Sequence, residues 1–74
     1  MYEVYRIKDL REDRDLSQAE VAKVIRTTQQ QYSKIETGKS DISGEKLLLL
    51  AAFYNVSVDY ILGMTDDPGS YFSK

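Results

Sequence analysis

Gln29, Gln30, Ser33 and Lys34 are the side chains of this sequence with the most to offer a partner. Thr28 suits a helix N-cap, and the four then fall at positions one, two, five and six of the helix it starts. At 3.6 residues per turn, those positions share one side. Their chemistry is hydrogen-bond recognition. A glutamine amide can pair with N6 and N7 of adenine, a lysine can donate to O6 and N7 of guanine, and a serine hydroxyl can do either. The plainer reading is an exposed helix start with a solubilising charge. What positions that helix decides between the two.

Helical periodicity dominates the chain. Val4, Ile7, Leu10 and Arg11 recur at three and four residues, which predicts a first helix from about Glu3 to Asp13. The other charges of that helix read as a solvated face. Ser17-Gln18-Ala19-Glu20 fits a capping box, and Val21, Ala22 and Ile25 then make the apolar face of a short second helix. Thr28 and Gln31 give a second capping-box pattern at once, followed by Tyr32 and Ile35, and Gly38 supplies a stop. Tyr32 is expected in the core with its hydroxyl at the surface. After a polar loop, the run from Leu47 to Tyr54 reads as a fourth helix, being rich in Leu and Ala and free of β-branched residues. Val56 to Gly63 reads as a short fifth helix capped by Ser57, with Val56 stapled onto Ile61. The expectation is an all-α, compact five-helix bundle over residues 1–63. A tail over 64–74 is expected to be loosely ordered, unless a second chain holds Tyr71 and Phe72.

Two short capped helices joined by three or four residues form a helix-turn-helix if they cross closely. Ala22 is small enough to permit that crossing, and Ile25, Tyr32 and Ile35 can share one core. The fourth helix is apolar around most of its girth, more than a single buried stripe requires. Leu49, Phe53, Val58 and Tyr60 are therefore candidates for a face between two copies of the chain, with Leu48 and Ala52 beside them.

The 74 residues leave room for one small core. Absence of Cys and His excludes thiol chemistry, disulfide staples and the usual zinc sites. There is no Gly-rich phosphate loop and no converging carboxylate pair, so no enzyme, cofactor, metal or small-molecule ligand is expected. No apolar run approaches the roughly 18–20 residues that span a bilayer, and the N-terminus lacks a signal-peptide pattern. A soluble cytoplasmic domain is the expectation.

The stretch LSQAEVAKVIRTTQQQYSKIETGKS, residues 16–40, resembles the Cro/C1-type helix-turn-helix family, also called the xenobiotic-response-element family. It is most similar to the DNA-binding domains of lambdoid phage repressors, and the likeness runs from about Arg6 to Leu62. The resemblance implies a lambda-repressor-like bundle that binds double-stranded DNA as a homodimer. It places Gln29, Gln30 and Lys34 at base-reading positions. It places Gln18 at a phosphate, bracing the recognition helix, and Thr28, Lys39 and Ser40 at backbone contacts. It also implies a partly buried ion pair between Arg11 and Glu36, although Arg11 alone could grip a phosphate. Arg26 departs from the family, which usually has Gly where the chain turns left-handed. A non-Gly residue there costs on the order of 1 kcal/mol, which a guanidinium reaching the DNA backbone would offset. The loop at Asp41–Glu45 also lacks the basic residues that phage relatives can carry there.

A net charge of −2 argues against a nucleic-acid partner at first sight. By region the objection weakens. Four basic residues meet five acidic ones in 1–16, four meet two in 17–40, and two meet five in 41–74, giving −1, +2 and −3. The proposed DNA side is the positive one. Few phosphate contacts predict modest non-specific affinity and a shallow salt slope. The leading expectation is a repressor on a two-fold symmetric operator. The alternative is an antitoxin or other protein-interaction module on the same fold, with a toxin or anti-repressor as partner. No built-in sensor is expected in so short a chain.

Overall fold

The computed structural model describes residues 5–69. Among these the chain is all-helical: α1 Ile7–Asp13, α2 Gln18–Val24, α3 Gln29–Glu36, α4 Gly44–Tyr54 and α5 Val58–Ile61. Val4, Tyr71 and Phe72, read above as helix face and tail contacts, lie outside the described residues.

Each boundary has a local cause. Ser17, Thr28, Ser43 and Ser57 cap α2 to α5, each hydroxyl accepting the backbone N–H three residues on. Ser17 and Glu20 complete a capping box, whereas Gln31 gives Thr28 only its backbone N–H. Ser43, at the end of the polar loop, caps α4, which therefore starts at Gly44, three residues before the apolar run. Every helix also ends on a left-handed residue: Asp15, Arg26, Gly38, Asn55 and Gly63 have φ of 55°, 61°, 80°, 59° and 80°. That conformation aims the next N–H groups back at the free carbonyls of the last turn. At the α2 end, Arg26 N–H donates to Lys23 O at 3.1 Å and Thr27 N–H to Ala22 O at 2.9 Å.

The core draws on every helix: Ile7 and Leu10 from α1, Val21 and Ala22 from α2, Tyr32 and Ile35 from α3, Leu50, Ala51 and Tyr54 from α4, and Ile61 from α5. Ile25 and Val56, just outside helices, complete it. Fully burying a side chain such as Leu50 is worth about 1.5–3 kcal/mol. Ala22 on α2 is part of that core at 2% exposure, so Ala22→Leu would overpack it.

Three expectations need correction. First, α1 begins at Ile7, later than Glu3, because Arg6 is used otherwise. Its N–H donates to Ile61 O, and its guanidinium donates to the carbonyls of Tyr60 and Thr65 and pairs with Asp66 at 2.7 Å, lying 4.3 Å from the centre of the Tyr60 ring. Secondly, the charges of the first segment are not simply a solvated face. Besides Arg6, Arg14 stacks on Tyr54 at 4.9 Å and donates to its carbonyl. Thirdly, residues 64–69 of the tail are held rather than loose. Arg6 grips Thr65 and Asp66, and Pro68 O accepts from Ser57 N–H at 3.0 Å.

Candidate nucleic-acid interface

The candidate interface is organised by α3, and its inner side explains why that helix is fixed. Tyr32 and Ile35 are buried against α2, and Glu36 is 5% exposed. A lone carboxylate at that depth would be costly. Here Arg11 meets it with two hydrogen bonds, Nε to Oε2 at 2.6 Å and Nη2 to Oε1 at 3.2 Å. Gln18 Nε2 donates to Oε1 at 3.1 Å. Arg11 also donates to Leu16 O at 2.9 Å, so one guanidinium ties α1, the α1–α2 loop and the end of α3 together. Burial pushes the Glu36 carboxyl up, but Arg11, the neighbouring Tyr32 hydroxyl and Gln18 together outweigh it and hold it below its ordinary value. The bond to Glu36 in turn raises Arg11, against its own desolvation.

Tyr32 departs from expectation. Its hydroxyl is buried rather than at the surface and makes no hydrogen bond of good geometry, though it is near enough to Glu36 to feel its charge. The Tyr54 hydroxyl is buried and unbonded too. Burial pushes Tyr32 far above the normal phenol range and Tyr54 up to about 12.

On the outer side, Gln29, Gln30 and Lys34 are exposed, and Ser33 is half-buried. Thr28 is exposed at the helix start, where its hydroxyl is engaged as the cap. Arg26 is exposed in the α2–α3 turn. Beyond α3, Lys39 and Ser40 are fastened to its end, their N–H groups sharing Lys34 O at 2.8 and 3.1 Å. Lys39 is exposed and Ser40 half-buried. The structure thus gathers Arg26, Thr28, Gln29, Gln30, Lys34, Lys39 and Ser40 along α3 and its two ends. Gln18 stands apart, bound to Glu36 at the far end of that helix. Donors of this kind, next to a helix N-terminus whose dipole favours anions, can bind phosphate and base edges.

The other predicted surface is more modest than its sequence. Leu48 and Phe53 are 56% and 44% exposed on α4. Leu49, Val58 and Tyr60 instead pack partly against the chain's own core. Arg6, Arg14 and Ser43 were missed as structural residues. Only Ser43 had a sequence signal, as a Ser just ahead of a helix.

The family described as helix-turn-helix matches residues 7–61, from the start of α1 to the end of α5. A Bacillus subtilis (strain 168) protein, described as the uncharacterized HTH-type transcriptional regulator YobD, is 40% identical over 63 residues, 85% of this chain. The matched region is 56% of that relative, so the chain spans little over half its length. No solved structure matches the chain significantly. With the match running through all five helices, the chain belongs to the Cro/C1-type helix-turn-helix family.

Proposed function

We propose that the chain reads a specific DNA sequence as a homodimer on a two-fold symmetric operator and represses transcription by excluding polymerase. One observation carries the reading: α3 is locked by its buried side while Gln29, Gln30 and Lys34 stand exposed on the other. Gln29 and Gln30 read base edges, with Ser33 and Lys34 beside them. Arg26, Thr28, Lys39, Ser40 and Gln18 serve the backbone. Two recognition helices would enter successive major grooves about 34 Å apart. The exposed Leu48 and Phe53 support pairing of two copies. Among the described residues no helix is long and apolar enough to cross a membrane, which suits a cytoplasmic protein.

The test is selection of bound duplexes from a random pool, with sedimentation of the free and bound protein. A recovered palindrome bound by two chains is the expected result. Failure to bind any duplex at low salt would sink the proposal.

A further inference from the structure

Of the five left-handed residues that end the helices, four are of types that tolerate the conformation. Gly38 and Gly63 have no Cβ, and the short polar side chains of Asp15 and Asn55 visit this region more readily than most. Arg26 has neither advantage at φ 61°. Its side chain gives the fold nothing visible in return. It is exposed, and its guanidinium makes no hydrogen bond, ion pair or ring contact with another described residue. The long cations Arg6, Arg11 and Arg14 are all engaged. Arg26 is thus a strained residue whose side chain is idle in the free protein.

Its position suggests where it acts. It lies two residues before Thr28, so its Cα is within about 7 Å of the cap of the recognition helix. It also belongs to the positive region of the chain, with Lys23, Lys34 and Lys39. Resting on the DNA-binding reading above, we infer that Arg26 is a phosphate-gripping residue kept at the expense of fold stability. Its guanidinium meets a backbone phosphate beside the start of α3 and fixes how that helix enters the groove. Glycine would serve the turn better and the complex worse.

The competing account is purely structural: a cation at the end of α2 favours the helix dipole. The two accounts predict opposite signs. Arg26→Gly and Arg26→Lys are compared with the unsubstituted chain by thermal melting of the free protein and by titration of duplex DNA at several salt concentrations. Arg26→Gly should raise the melting temperature by about 4–8 °C. It should also weaken binding roughly 5–10-fold near 0.1 M salt and lower the salt slope by about 0.9, one phosphate contact. Arg26→Lys should keep the slope and the lower melting temperature. A fall in melting temperature for Arg26→Gly would overturn the inference, because Arg26 would then stabilise the turn. Unchanged affinity, or weakened binding with an unchanged slope, would equally overturn it. If the unsubstituted chain bound no duplex, the DNA-binding reading itself would fail, and this inference with it.

Discussion

On the inner side of α3 the Glu36 side chain is 3% exposed and accepts three hydrogen bonds; on the outer side Gln29, Gln30 and Lys34 are exposed, and their side chains make no hydrogen bond or ion pair with another described residue. One eight-residue helix therefore carries two kinds of polarity. Inner polar groups are satisfied within the chain, so they hold the helix in place. Outer ones are left to water, so they are available to a partner. Substitutions on the inner side should change stability and leave sequence preference alone. Those on the outer side should do the reverse.

The largest effect tests the inner side. Arg11→Ala or Glu36→Ala leaves one buried charge without its partner, which costs about 3–5 kcal/mol. That is a large share of the 5–15 kcal/mol typical of a domain. Urea melts should show both variants largely destabilised, while whatever remains folded selects the same DNA. If Glu36→Ala melted normally but selected a different sequence, the division between the two sides would collapse.

Acid should act through the same group. The folded-state pKa of Glu36 lies below its ordinary value of 4.5, so the unfolded chain takes up its proton first. The stability that Glu36 supplies is fully present above pH 4.5 and is lost as pH falls through the folded value. Melting temperatures of the natural chain should fall along that limb. In Glu36→Gln the limb should flatten, from a lower plateau. An unchanged limb would show that some other carboxylate is responsible.

The outer side was more legible in the sequence than the inner one. Caps, small residues and the position of Gln29 and Gln30 are local features, all written between Ser17 and Gln30. The helices and caps of the α2–α3 unit were therefore readable, whereas the left-handed turn at Arg26 came with the family resemblance and the burial of the Tyr32 hydroxyl went unread. The Arg11–Glu36 pair joins residues 25 apart and came only with the family resemblance. Arg6 reaches Tyr60 and Asp66, 54 and 60 residues away, and no local pattern announces that. A charge on a helix face looks the same whether it meets water or a carbonyl folded back from the other end of the chain. For the same reason no local pattern shows that Leu49, Val58 and Tyr60 pack partly against the chain's own core.

An intermediate effect tests the outer side directly. Gln29→Ala and Gln30→Ala each remove a side chain able to bond a base edge in two places, worth about 1–3 kcal/mol of discrimination. Selected DNA should lose its preference at one or two positions per half-site, and urea midpoints should stay put, since surface changes seldom exceed about 0.5 kcal/mol. A uniform loss across all sequences would move these residues from bases to phosphates.

The smallest effect sharpens what the inner side means. Glu36 and Tyr32 are both buried and polar, but the carboxylate is bonded and the hydroxyl is not. If satisfaction, and not mere polarity, is what stabilises α3, then Tyr32→Phe should be neutral or stabilising by up to about 1 kcal/mol, since it removes an unpaired buried oxygen without changing the shape. The alkaline side gives a second reading. Burial raises the Tyr32 phenol above its ordinary value of 10.0, so its contribution is present below pH 10.0 and lost as pH rises beyond it. Tyr32→Phe should therefore soften the alkaline fall in melting temperature, leaving the part due to Tyr54, whose phenol is pushed up to about 12. A loss of more than about 1.5 kcal/mol at neutral pH would mean that the hydroxyl does bond to Glu36 in solution. Tyr32 would then join Arg11 and Gln18 among the groups that lock the recognition helix.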